Sequence, residues 1–113
     1  MSERASKLLL EDILGSAQKI IKYTESLTYD DFITDSKTID AVVRNYEIIG
    51  EASNRLPESI KDSMTSIDWF RIRGFRNRIA HQYFGIDHEI IWTLKDTYLK
   101  ELIVEIEKLL NTL

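Results

Sequence analysis

Residues 73 to 83 read Arg73-Gly74-Phe75-Arg76-Asn77-Arg78-Ile79-Ala80-His81-Gln82-Tyr83. The stretch gathers the residue types that handle a phosphodiester. Arginine offers a planar fork of donors to phosphate oxygens and stabilises charge that develops on them. A histidine of near-neutral pKa can take a proton from a ribose hydroxyl or give one to a leaving group. Asn77 can orient the imidazole or hydrogen-bond the phosphate. RNA carries its own nucleophile, the 2'-hydroxyl, so internal attack needs only such groups and leaves a 2',3'-cyclic phosphate.

Arg73, Asn77 and His81 are spaced by four and share one helix face. Arg76 lies five residues before His81, about 140 degrees round an ideal helix. A shared Arg76–His81 site therefore needs long side-chain reach, loosening of the last turn, or a second subunit. One subunit also holds one well-placed histidine. A twofold dimer with the stretches facing each other would supply two histidines and two copies of Arg76, enough for a base and an acid. The competing reading is structural. An arginine-rich face is commonly solvated or paired with acids, and a lone His before a Tyr is commonly a helix-end contact. Arg71 and Arg78 read as surface or RNA-guiding groups, and Tyr83 as either a packing or a site residue. His88 follows a cap and is expected to be exposed. Two histidines and scattered carboxylates have no convincing metal-ligand spacing, so neither metal nor cofactor is expected.

The elements that must position this stretch are helices. The chain of 113 residues has one proline, Pro57, four glycines and no cysteine. A first helix is expected over about Glu3 to Leu27, with Ala5, Leu9, Ile13, Ser16, Ile20, Tyr23 and Leu27 as its buried stripe and Leu8 widening it. Gly15 inside it either permits a close helix contact or lowers stability. Thr28 and Asp31 form a capping pair before Tyr29, Phe32 and Ile33, which would cover one end of the core. Asp35 or Ser36 opens a second long helix to about Leu56, buried through Ile39, Val42, Val43, Tyr46 and Ile49. Within it, Glu51 reads as a salt-bridge residue or as a positioner of an arginine from the basic stretch.

Pro57 then marks a break, with a short helix over Glu58 to Met64. Thr65 or Ser66 caps a third main helix through Ile67, Trp69, Phe70, Ile72, Phe75 and Ile79. Asp87 caps the last helix, whose apolar face runs through Ile91, Leu94, Tyr98, Leu102, Ile106, Leu109 and Leu113. Ile90, Trp92, Leu99, Ile103 and Leu110 broaden that face, and part of the excess is available to another subunit. The expected fold is all-α: a compact antiparallel bundle of four main helices plus one or two short ones, one domain over 1–113.

Composition bounds the function. Net charge is −4 and the pI about 5.2, which argues against broad, non-specific nucleic-acid binding but allows one basic cleft on an acidic body. Between Trp69 and Tyr83 there is no acidic residue. No signal-peptide core and no apolar run of about 18 residues occurs, so a cytoplasmic location with no membrane contact is the expectation.

Arg76-Asn77-Arg78-Ile79-Ala80-His81-Gln82-Tyr83 fits the pattern Arg-x4-His-x-Tyr. With Ile49-Gly50-Glu51-Ala52, the Trp69-to-Tyr83 helix and Asp87 opening the final helix, the chain resembles the HepT-like toxins of the HEPN superfamily over nearly its whole length. The resemblance implies a dimeric, metal-independent RNA endonuclease, the toxin of a toxin–antitoxin pair. Arg76 would bind the scissile phosphate, His81 would transfer protons, and Asn77 would support the site, with Arg73 and Arg78 available to guide RNA. It further implies a partner nucleotidyltransferase antitoxin of the MntA type, which would inhibit the toxin by transferring AMP from ATP to Tyr83. A non-catalytic helical subunit that binds substrate or partner for a nucleotidyltransferase is the alternative, and a purely structural dimerisation module a third reading.

Overall fold

The first helix, α1 (Glu3–Thr24), buries Leu9, Leu10, Ile13, Ala17 and Ile20 on one side. Ser2 caps it, its hydroxyl accepting from the Ala5 amide at 3.1 Å. The computed structural model describes residues 2–72, 74 and 87–113. The buried stripe is rotated from the expected one: Leu10 is inside, while Leu8 is 55% exposed and Tyr23 also faces solvent. Three small polar residues, Ser6, Ser16 and Thr24, take up part of the buried face. Gly15 sits where an added Cβ would meet nothing within 4 Å among the described residues, so it serves no close contact with the described helices.

The reciprocal cap at Thr28 and Asp31 is present and opens α2 (Tyr29–Ile33). Phe32 is fully buried and Tyr29 half-buried, whereas Ile33 is exposed. Of the two proposed caps for the second long helix, Asp35 does the work. Its carboxylate accepts from the Thr38 amide at 3.1 Å and the Thr38 hydroxyl at 2.7 Å, opening α3 (Ser36–Arg55). The Thr38 hydroxyl bond, then the amide, hold its carboxyl below the usual carboxylate range. α3 packs on α1. Asn45 and Ser53 are buried on it by donating to the carbonyls of Ala41 and Ile49 on the same helix, at 2.8 and 2.7 Å. Pro57 starts α4 (Glu58–Ser63).

The next helix, α5, is described over 69–72 and at 74. Its cap is Asp68, whose Oδ1 accepts from the Arg71 amide at 3.0 Å, not Thr65 or Ser66, which lie in the preceding turn. Ile72 is buried, but Phe70 is 84% exposed and takes no part in the core.

Asp87 caps the final helix as expected, accepting from the Ile90 amide at 3.2 Å. This helix is interrupted. α6 (His88–Leu94) passes into a π-turn over Lys95–Leu99 before α7 (Lys100–Thr112). A π-turn adds a residue to the helical repeat without breaking the rod. Ile91 and Leu94 are buried before it, Tyr98 and Leu99 within it, Leu102, Ile106 and Leu109 after it, and Leu113 is exposed. Ile90, Trp92, Ile103 and Leu110 are half-buried and packed against the core. α7 lies against α1, so the first and last helices close the bundle together.

All regular elements among the described residues are helical, which makes the fold all-α, as the periodicity requires. None of their helices is long and apolar enough to cross a membrane.

Candidate functional site

The six residues singled out in the basic stretch, Arg73, Arg76, Asn77, Arg78, His81 and Tyr83, lie outside the described residues. The structure instead shows the frame on either side of them. On the N-terminal side, the first turn of α5 is tied down from three directions. Trp69 Nε1 donates to the carbonyls of Lys61 and Met64 at 3.1 and 3.2 Å, anchoring the turn to the end of α4. Tyr98, from the π-turn, donates its hydroxyl to the Asp68 carbonyl at 2.8 Å. Ile72 fills the core below.

Arg71, read from sequence as a surface or RNA-guiding group, is exposed, and its guanidinium carbon stands 5.2 Å from the centroid of the Tyr98 ring. Burial first, and Asp68 next, push the Tyr98 phenol above its ordinary value. Sequence reasoning treated Tyr98 as one more apolar-face residue. Nothing in its spacing marks the polar end that grips the cap of α5.

On the C-terminal side, Asp87 and α6 carry the chain back into the core. His88 is half-buried and meets Phe32 edge-on, with ring centroids 6.5 Å apart. The expected exposure of His88 is therefore corrected: its ring is used in packing. Beside it, Trp92 lies 5.1 Å from Phe32 and 6.0 Å from Tyr29, centroid to centroid. Lys95 is only 7% exposed, its ammonium 3.8 Å from the Trp92 ring centroid and 3.0 Å from Asp96 Oδ2. The hydrogen bond from Lys95, above all, holds the Asp96 carboxyl below the usual carboxylate range. Fully buried Tyr46 donates its hydroxyl to the Ile91 carbonyl at 2.7 Å, one turn before the π-turn. Its phenol is pushed above its ordinary value by burial, with Asp96 adding to the effect.

Described residues from α5 and from the start of α6 line one groove of about 540 Å³. Phe70, Arg71 and Gly74 of α5 form one wall. Glu89, Thr93 and Thr97, spaced by four, line the other, with Ile90 and Leu94 between them. Asp68 and Asp87, the two helix caps, stand at its margins. That polar ladder was visible in the sequence as a repeat of four, but nothing there showed what it faced. Glu51 on α3 is exposed and forms no ion pair among the described residues. Among the described residues, no three His, Asp or Glu groups converge in a way that could hold a metal ion.

Comparison with known proteins assigns the frame. The family model "Ribonuclease HepT-like" matches residues 13–109. A Methanocaldococcus jannaschii protein named "Putative RNase MJ0127" is 36% identical over 111 residues, covering 98% of this chain and 92% of its own length. "Probable ribonuclease HepT" of Thermococcus cleftensis is 38% identical over 95 residues, 83% of this chain and 86% of its own. No solved structure matches. The family match runs from α1 to α7 and includes the whole basic stretch, and on that ground the chain belongs to the ribonuclease HepT-like family.

Proposed function

We propose that this protein is the toxin of a toxin–antitoxin pair, a metal-independent endoribonuclease working in the cytoplasm as a dimer of single HEPN-like domains over 1–113. The observation that carries the reading is the family match over residues 13–109, which contains the complete Arg-x4-His-x-Tyr motif from Arg76 to Tyr83.

Arg76 binds the scissile phosphate and stabilises the charge that builds on its oxygens. Asn77 holds the site, and Arg73 and Arg78 guide the strand. His81 of one subunit takes the proton of the 2'-hydroxyl. The 2'-oxygen bonds to phosphorus, the bond to the 5'-oxygen breaks, and the second copy's His81 protonates that leaving oxygen. The products are a 2',3'-cyclic phosphate and a 5'-hydroxyl. A composite site at the dimer cleft answers the angular divergence of Arg76 and His81 on one helix.

Inhibition comes from a nucleotidyltransferase antitoxin of the MntA type. The Tyr83 phenol oxygen bonds to the α-phosphorus of ATP, pyrophosphate leaves, and the phenol proton passes to solvent. The AMP group then sets negative charge and bulk beside Arg76 and His81.

The test incubates purified protein with single-stranded RNA in excess EDTA and identifies the product ends. Cleavage to cyclic-phosphate ends, lost in both Arg76→Ala and His81→Ala with the helical content retained, is the expected result. Absence of cleavage by the unaltered dimer overturns the nuclease. An intact mass without added AMP after co-expression with the antitoxin overturns the regulation alone.

A further inference from the structure

The solvent side of α1 is self-complementary under a half-turn. Leu8 and Tyr23 are 55% and 40% exposed, two large apolar side chains left outside the core. Asp12 and Lys19, between them, are exposed as well. Counted inwards, Leu8 matches Tyr23 and Asp12 matches Lys19, and both pairs are centred on the Gly15–Ser16 peptide.

On a helix the four share a side. At 100 degrees per residue they all fall about 20–80 degrees to one side of Gly15. A twofold axis perpendicular to a helix pair runs the helices antiparallel and keeps each residue on its own side of the contact. Two copies of α1 crossed at Gly15 therefore set Leu8 of one against Tyr23 of the other, and Asp12 against Lys19, each twice.

The two charges have no use along their own helix. Positions 8, 9, 15 and 16, three and four away from Asp12, hold no cation, and positions 15, 16, 22 and 23 around Lys19 hold no acid. Neither side chain forms a hydrogen bond or ion pair among the described residues. Asp12 and Lys19 are two turns apart, about 10 Å along the axis, too far to pair within one chain. At the centre, an added Cβ on Gly15 meets nothing within 4 Å among the described residues. A small residue there lets two helix axes approach to about 8 Å, and alanine would serve as well as glycine.

We infer that this face of α1 is an interface between two copies of the chain, an antiparallel twofold contact centred at Gly15. Apolar Leu8–Tyr23 contacts hold it and the Asp12–Lys19 pairs fix its register. It does not rest on the ribonuclease reading. If residues 73–83 pair copies as well, two different twofold contacts on one chain join dimers into a tetramer or a longer array.

Charge reversal tests the register. Self-association is measured by sedimentation equilibrium at low ionic strength for the unaltered protein, Asp12→Lys, Lys19→Asp, the double variant, and an equimolar mixture of the two single variants. Helical content is checked for each. Each single reversal sets like charges together at two places, and Kd is expected to rise roughly tenfold. The double variant and the mixture recover the unaltered affinity, because both again set Lys against Asp across the contact. A second measurement leaves the charges alone. The chain has no cysteine, so Gly15→Cys can cross-link only through position 15. It should form a disulfide-linked pair under mild oxidation. Lys7→Cys should not, since its two copies stand about 25 Å apart along the pair.

Equal self-association by the unaltered protein and both single variants overturns the interface. So does a mixture that associates no better than its components. An unaltered protein that stays monomeric, with Gly15→Cys unlinked, also overturns it and leaves this face to a partner of another kind.

Discussion

Tyr98→Phe removes a hydrogen bond that joins the π-turn to the start of α5. The ring stays, so its packing and the contact with Arg71 are retained, and among the described residues the bond from the hydroxyl to the Asp68 carbonyl at 2.8 Å is lost. That carbonyl is not orphaned, because the Ile72 amide still donates to it at 3.3 Å. The full penalty of a buried unsatisfied group therefore does not apply, and the expected loss is that of an ordinary neutral hydrogen bond, about 1 kcal/mol. With a urea slope of roughly 1.5 kcal/mol per molar, the unfolding midpoint should fall by ~0.7 M. The thermal midpoint should fall by about 4–8 °C. Trp69 and Trp92 fluorescence reports the transition, at one fixed protein concentration because the stability of the proposed dimer would depend on it. Trp69 is tied to α4 beside the lost bond, so its environment should change before global unfolding does. In the proposed ribonuclease, RNA cleavage by the variant should drop in kcat more than it rises in KM, since the bond holds the start of α5 rather than touching substrate. A urea midpoint equal to that of the unaltered protein would refute the reasoning. So would a loss above ~2.5 kcal/mol, which would mean that the Asp68 carbonyl has no second donor.

Two further perturbations follow from the same frame. Gly15→Ala should raise stability by about 0.8–1 kcal/mol in urea unfolding, because the methyl meets nothing and the helix gains only propensity; a decrease would show that the glycine face is covered in the assembled protein. Tyr46 gives a pH dependence. An unfolded tyrosine releases its proton near pH 10, whereas burial holds the proton on folded Tyr46. Stability should therefore fall as pH rises past 10, by about 1.4 kcal/mol per pH unit from this residue. Below pH 9 the two states bind the proton alike and no such slope exists. Tyr46→Phe should be less stable at pH 7 but lose that part of the alkaline slope; identical slopes above pH 10 would remove Tyr46 as the cause.

Local signals carried the helix boundaries well. Thr28 with Asp31, Asp35, Pro57 and Asp87 act on the few residues that follow them, and each stands where its short-range chemistry puts it. The errors come from what lies across the core. Leu8 and Phe70 are apolar at helical spacing yet exposed, while Ser6, Ser16 and Thr24 are polar and buried because small side chains fit a close helix pair or bond to their own backbone. Periodicity weighs hydrophobicity and cannot weigh the width of a gap. Nor can it show the π-turn at Lys95–Leu99, which keeps apolar residues inward by adding a residue where a regular helix would rotate them out. Lys95 is charged and buried because Trp92 offers it a ring face, a pairing legible only after folding. For the site, the motif could be read residue by residue, but the groove between the described parts of α5 and α6 joins two segments whose juxtaposition no spacing encodes.

The contact between α1 and α7 has a consequence for the chain during its synthesis. Leu10, Ile13, Ala17 and Ile20 on α1 emerge early, and α3 can cover part of them soon afterwards. The rest of that apolar surface waits for Leu102, Ile106 and Leu109, which the ribosome makes last among the described helices. A nascent chain that stops before α7 therefore exposes core surface and is open to chaperones and proteases. It also lacks the wall that supports Tyr98 and, through it, the start of α5. Premature termination should therefore yield a fragment that is cleared rather than one that persists, an outcome set by the order in which the helices leave the ribosome.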